Sequence, residues 1–394
     1  MVLLPDVDGG VTLLPDAELH WRRGRITAVQ PASGPGRTDL VLLPGFVDLH
    51  CHWPQAHVRG AFSGQLLPWL QQSIWPAEAA FADPAVAHAR AERFLADAIG
   101  AGTCAALLFG SPFLEASLAF QALAPVGYFD GPALMEVEAP AALLRPVVDV
   151  LRAVADLPGP VRDRVVVSPR FAPNLTAEGL AAAGRTAASL DLFSQSHVSE
   201  NLDEIAWVRS LFPDARDYVD VYDRAGLLGP RCVLAHAVHC SDRELARLAA
   251  TGTVVAHCPT SNEALGSGRM PLERLRNHGV RWVLATDVGA GPHLSQLDAV
   301  RAALQVHVGH VELSPSEALC RVTAIPGAFL AGSGSDLAGL GTLQPGAPAH
   351  IVAYTKASAA NAADDVVRHL TSGDRAALDT LPRQVVLWGH AQQP

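Results

Sequence analysis

The sequence predicts an α/β protein, a TIM (β/α)8 barrel with a small discontinuous β-domain formed by both chain ends. Three observations predict it. Eight apolar, β-rich segments recur along the chain with helix-like stretches between them, the alternation of parallel βα units. His and Asp residues able to do chemistry fall at the ends of these segments, where a barrel carries its active site. Both flanks carry short alternating stretches punctuated by Gly and Pro, which fit no βα unit.

The eight candidate strands span residues 45–52, 103–109, 126–135, 165–171, 192–200, 232–239, 253–259 and 283–288. Residues 84–101, 177–189, 242–250 and 297–307 read as amphipathic helices between them. Residues 1–44 hold alternating stretches around Gly9-Gly10 and the turn-like Arg22-Arg23-Gly24-Arg25, followed by the Pro/Gly-containing stretch 31–36. From 335 the chain reads Gly339-Leu340-Gly341-Thr342-Leu343, then Pro345-Gly346 and Ile351-Val352-Ala353-Tyr354. The expected division is therefore 1–44 and 335–394 as the two parts of one small β-domain, with the barrel at 45–334. The Ala-rich stretch 357–363 reads as a loose surface loop.

Composition narrows the class of partner. Of the 394 residues, 49% are hydrophobic and 17% charged, which argues against disorder. A formal net charge of −10 and the absence of a dense Lys/Arg run argue against nucleic acid and anionic membranes as partners, leaving a small molecule. No apolar run approaches the roughly 18 residues of a membrane span, and the first residues lack a secretory pattern, so a cytoplasmic protein is expected. The six cysteines show no CxxC spacing and read as buried thiols.

His50 and His52 occupy alternate positions of one strand, so both side chains point to the same face and can reach one metal ion, while Cys51 between them points away. A lone buried His is more often a hydrogen-bonded core residue. A same-face pair with further His and Asp at later strand ends favours a shared metal, Zn first and Fe or Mn possible from the nitrogen and carboxylate donors. His197 ends the fifth strand, with Glu200 three residues on. Glu200 either caps the following helix or shuttles a proton to the substrate. His236 ends the sixth strand as ligand or hydrogen-bond donor to the attacked water, the donor role being preferred. Asp287 ends the eighth, where it can reach both metal and water. His239 is a candidate for the wall of the site or for a residue that supports the site from behind. His257, before Cys258-Pro259, is expected to shape the turn or touch substrate, and Gly266-Ser267-Gly268 to form a tight turn.

These residues carry a resemblance. The 45–52 block with 197–200, His236 and Asp287 resembles the amidohydrolase superfamily, more narrowly its one-metal aminohydrolases and, closest, guanine deaminases. Trp75-Pro76-Ala77-Glu78, Pro169-Arg170-Phe171 and Leu265-Gly266-Ser267-Gly268 narrow it to guanine. The resemblance implies His50, His52, His197 and Asp287 as ligands of one Zn ion, Glu200 as proton shuttle and His236 as the residue that polarises the water. It implies Gln55, Arg170 and Phe171 as purine-binding residues, with Arg170 donating to the exocyclic oxygen, and a homodimer. The activity implied is hydrolytic deamination of guanine to xanthine and ammonia. The nearest alternatives are 8-oxoguanine, a pterin, a triazine or an adenosine derivative as substrate; the remote one is a non-catalytic scaffold. Three departures stand out: Arg59 and the loop after it, which could alter the substrate lip, Pro326-Gly327 in place of a Gly pair, and His350 in place of an Asp. Trp69 or Trp75 could also pack on the base.

Overall fold

A computed structural model describes residues 1–34, 39–62, 64–355, 362–372 and 384–392. The N-terminal flank forms β1 (Val2–Pro5), β2 (Val11–Leu14), the β3 (Ala17–Arg22) and β4 (Arg25–Pro31) hairpin, and β5 (Leu40–Pro44). The hairpin turns through Arg23 and Gly24, both at positive φ, which matches the twist of the two strands.

Nine parallel pieces then build the barrel: β6 (Phe46–His52), β7 (Thr103–Phe109), β8 (Tyr128–Gly131), β9 (Ala133–Leu134), β10 (Val166–Pro169), β11 (Phe193–Val198), β12 (Cys232–His236), β13 (Val254–His257) and β14 (Arg281–Leu284). They make eight staves, because the third breaks into β8 and β9 at Pro132, which has no N–H for the ladder. The ring closes where Asp287 N donates to the carbonyl of His50 at 2.9 Å. Helices Pro84–Gly100, Ala177–Ser189, Asp242–Thr251 and Gln296–Val306 lie close to the predicted ranges. Their starts follow local chemistry: Asp83 and Thr176 accept from the first-turn amides, and Ser241 with Glu244 makes a capping box.

The barrel interior is filled by Val47, Leu49, Leu107, Phe129, Phe193, Val233, Ala235, Ala256 and Val283. Phe329 and Leu330 of helix Ala324–Ala331 join that cluster. Gly327 in this helix is required by close approach, since a Cβ there would stand 2.0 Å from the carbonyl oxygen of Leu340. The Pro326-Gly327 departure thus belongs to a packed helix far from the chemistry.

At the far end, β15 (Ile351–Thr355) pairs antiparallel with β5 over residues 40–44, and β16 (Gln384–Leu387) and β17 (His390–Ala391) extend the sheet to the order β17-β16-β15-β5-β1-β2. Both flanks therefore share one sheet outside the barrel, with Val2, Ile26, Leu343, Ala347, Ile351 and Val386 beneath it. Two expectations fail here. The 339–343 stretch is turn, with Gly339 and Gly341 at positive φ, because the chain must pass so close that a Gly341 Cβ would stand 2.2 Å from the Thr323 carbonyl oxygen. The C-terminal flank also contains helix Ala363–Leu370, which buries Val366, Val367 and Leu370, a 3.6-period face inside a flank read as β. The predicted Ala-rich loop lies largely outside the described residues, as do two residues of the 31–36 stretch. His350 is buried, and its Nδ1 accepts from Trp388 N at 3.3 Å. All six cysteines are buried and free. Among the described residues no helix is long and apolar enough to cross a membrane.

Candidate active site

The strand ends bring together residues that the sequence spreads from His50 to Asp287. His50 and His52 leave one face of β6, and the side chain of Cys51 packs instead into the cluster of Trp53, Phe81 and Phe94. His52 Nε2 lies 3.1 Å from His197 Nε2, while Asp287 Oδ1 lies 3.3 Å from His50 Nε2 and 3.4 Å from His52 Nε2. The four donor atoms all fall within 4.8 Å of one another. Three imidazole nitrogens and one carboxylate so close have no purpose among themselves, and neither ring nitrogen of buried His50 makes a well-formed hydrogen bond among the described residues. That donor set fits one cation. His197 is oriented for the role: its Nδ1 donates to the carbonyl of Arg170 at 2.5 Å, leaving the Nε2 lone pair on the cluster side.

Backbone strain collects here. Ser199, His236, Ala237 and Asp287 all have positive φ without being glycine, between 48° and 75°. Each such residue costs about 1–3 kcal/mol, and single bonds to the neighbouring stave brace two of them, from Ala237 N to the carbonyl of Val198 and from Asp287 N to that of His50. Asp48 anchors the crossing between first and last staves: its carboxylate accepts from His50 N at 3.2 Å and from the Thr286 hydroxyl at 2.5 Å.

Glu200 and His236 stand beside the cluster. His236 Nε2 lies 3.5 Å from Glu200 Oε2 and 3.9 Å from Asp287 Oδ2, and its Nδ1 faces Asn262 Oδ1 at 3.0 Å. The helix-capping alternative for Glu200 fails. Asn201 is the cap, in a box closed by Glu204, whose carboxylate accepts from the backbone of Glu200 and Asn201. Burial drives the Glu200 carboxyl up to about 7, against the lowering effect of His236 and with Glu204 and Asp287 adding to the rise. Asp287 goes the other way. Burial alone would raise it, but His50, His236 and His197 bring it down to about 2. A carboxyl poised near neutrality beside one held ionised is a pair with separate acid and base duties.

The cavity above these groups encloses about 420 Å³ of atom-free space, its mouth included. Gln55, Arg170 and Phe171 all line it, together with Trp69 and Leu265. Trp75 does not; it packs with Trp69 and Ile74 in the wall behind. Arg59 does not line it either, because its guanidinium turns back to the Ala56 carbonyl at 3.0 Å. The Arg170 charge does not wait for a ligand, since Nη1 already pairs with Glu78 Oε2 at 2.5 Å, both side chains being buried.

Several residues here have a role that sequence reasoning missed. Glu78 stands out in the sequence only as the last residue of a motif. Ser267, expected to sit in a tight turn, donates its hydroxyl to Glu200 Oε1 at 2.9 Å. His239 stays outside the cavity and meets the carbonyl of that same Ser267 at 3.0 Å. His257 also lies off the cavity, with Nε2 3.1 Å from His307 Nε2. Asn262 and Phe109, which stacks on His52 at 4.7 Å, complete the surroundings. Each is a single polar or aromatic side chain whose meaning depends on a partner distant in sequence.

The amidohydrolase family profile matches residues 41–375. A probable guanine deaminase of Deinococcus radiodurans is 41% identical over 292 residues, covering 72% of this chain, and the chain spans 63% of that relative's length. A guanine deaminase of Escherichia coli (strain K12) is 35% identical over 312 residues, covering 76% of this chain and 71% of the relative. Among solved structures, the guanine deaminase of C. acetobutylicum with guanine bound in its active site superposes with a TM-score of 0.89 at 26% identity, covering 99% of this chain and 98% of that one. A barrel with three histidines and an aspartate converging at its strand ends, matched by the family profile over most of its length, places this chain in the amidohydrolase family.

Proposed function

We propose that this protein is a metal-dependent aminohydrolase that converts guanine and water to xanthine and ammonia. The observation that carries it is the meeting, at the floor and walls of one cavity, of the four-donor cluster, three of whose members line it, the near-neutral Glu200 and the Gln55–Arg170 pair. Relatives named guanine deaminase, and one solved with guanine bound, support the substrate. His50, His52, His197 and Asp287 would hold the ion, and their donor types suit zinc first, with iron or manganese next. A bound divalent ion of this kind makes water acidic, lowering its pKa from 15.7 to about 7.

The chain's own residues divide the remaining work. Asp287, ionised and itself one of the four donors, takes a proton from the attacking water. His236, held through Asn262, hydrogen-bonds that water and fixes its direction. Glu200 delivers a proton to a ring nitrogen, so that the carbon bearing the amino group accepts the oxygen; Asp287 then passes its proton to the departing amine, and the hydroxyl of the adduct returns its proton to Glu200 as the carbonyl forms and ammonia leaves. Gln55, Arg170 and Phe171 hold the base, with Leu265, Leu66 and Trp69 as apolar walls that exclude water. The division into residues 1–44, 45–334 and 335–394, a role in purine catabolism, a cytoplasmic location and a homodimer belong to the same proposal. Ammonia release from guanine, 8-oxoguanine, a pterin, a triazine and adenosine, by purified protein of measured metal content, tests it. Guanine should be turned over fastest; a faster substrate in that panel would displace it, and no release from any would return the chain to a non-catalytic role.

A further inference from the structure

Glu78 stands on the short helix Trp75–Ala79, directly after a π-turn at Leu70–Ile74. It is 1% exposed and both of its carboxylate oxygens are used. Oε2 takes Arg170 Nη1 at 2.5 Å and Oε1 takes Gln55 Nε2 at 2.8 Å. Gln55 and Arg170 line the cavity, whereas Glu78 stands behind them. A carboxylate only accepts hydrogen bonds, so the Gln55 atom that faces it has to be the amide nitrogen. At the other end Gln55 Oε1 packs against Gly289, which has room for it only because a Cβ there, 2.4 Å from Oε1, is missing.

From this geometry we propose that Glu78 is the positioning residue that sets both polarity and charge at the substrate edge. It commits Gln55 to present its oxygen as an acceptor and leaves Arg170 as a donor whose charge is already cancelled. The pocket therefore takes a neutral purine bearing a lactam, O=C–N–H, and disfavours two others. An adenine-type edge offers N=C–NH2, which puts donor against donor and acceptor against acceptor. A purine anion finds no free guanidinium, because the one among the residues lining the cavity, that of Arg170, is already paired. The second exclusion bears on turnover. Deamination replaces an amino group by a second carbonyl, making the product a stronger acid than the substrate, and a cancelled Arg170 does not retain its anion.

The inference rests on the proposed substrate, and binding can be measured apart from turnover. The probes are hypoxanthine, a neutral lactam purine, and urate, an anion at neutral pH, titrated calorimetrically into the metal-loaded protein. The unmodified protein is expected to bind hypoxanthine more tightly. In Glu78→Gln the uncovered Arg170 charge should shift the affinity ratio toward urate by about tenfold or more, with metal content unchanged. Glu78→Gln/Arg170→Gln, lacking both charges, should lose that gain, which a merely structural role for Glu78 would not produce. An unchanged ratio in Glu78→Gln, or a gain that persists in the double variant, overturns the proposal. Should Glu78→Gln fail to fold, the unmodified protein still decides, since urate binding as tight as hypoxanthine binding overturns it. A ratio that shifts as expected in a protein releasing no ammonia from guanine would refute the activity and leave the role of Glu78 standing.

Discussion

Replacing Glu200 by Gln should lower activity and raise stability together. The amide matches the carboxylate in size, and its oxygen can still accept from the Ser267 hydroxyl now 2.9 Å from Oε1. Proton relay is lost, at a cost of about 10²- to 10⁴-fold in rate. Stability moves in the opposite sense. Burial, opposed by His236 and reinforced by Glu204 and Asp287, holds the metal-free carboxyl up at about 7 against an ordinary 4.5. Between those two values the folded chain binds the proton more tightly than the unfolded one, so stability falls as pH rises through the window and stays low above it. At 1.36 kcal/mol per pH unit, the interval from 4.5 to about 7 makes ionised Glu200 a burden of about 3 kcal/mol. The metal-free Gln variant should therefore gain up to about 3 kcal/mol at pH 8 and nothing at pH 4, as read from urea unfolding at the two pH values. Its turnover is read by ammonia release at matched metal content. Near-normal turnover, loss of the metal, or an unfolding profile whose pH slope matches the parent would refute the reasoning.

His50→Ala or His52→Ala should lose metal and activity together, because a site of four protein ligands cannot spare one; elemental analysis beside the assay reads this, and a variant keeping one ion and full turnover would remove the assignment. The same variants should show less gain in melting temperature on adding zinc than the parent does, as mass action requires. Arg170→Met should destabilise the fold by about 3–5 kcal/mol by leaving Glu78 buried without its cation, and adding Glu78→Gln should recover much of it. Denaturant midpoints decide, and additive losses in the double variant would count against the pair. Gly327→Ala should cost about 1–3 kcal/mol from overpacking against the Leu340 carbonyl, with little effect on KM because the helix lies at the opposite end of the barrel from the cavity.

The parts of this molecule that could be read from sequence are those whose signal is local. His50 and His52 announce a shared face because strand alternation is a property of three consecutive residues, and the eight staves announce themselves through short apolar runs ended by Gly, Pro or a cap. The flanks mark the limit of that signal. Helix Ala363–Leu370 carries its apolar face on Val366, Val367 and Leu370, too short a periodicity to outweigh the β character of the rest of the flank. The 339–343 stretch alternates Gly and Leu like a strand, yet its glycines serve close backbone approach.

The site divides in the same way, along the line between atoms that hold an ion and atoms that hold those atoms. The expected ligands gather at one cavity with Glu200, His236, Gln55, Arg170 and Phe171, His50 lying just beneath its lining, whereas Ser267, Asn262 and Glu78 act through a partner 67, 26 and 92 residues away. Their motifs mark Ser267 and Glu78 as part of the resemblance, but nothing local tells that Ser267 reaches Glu200 or that Glu78 reaches Arg170 and Gln55. For Arg170 the unseen partner changes the chemistry. Taken alone, a buried guanidinium has to be satisfied by the ligand, and discrimination against adenine would arise from an unpaired charge. With Glu78 in place the charge is satisfied before any ligand arrives, so discrimination has to come from the direction of the hydrogen bonds that the pair leaves open.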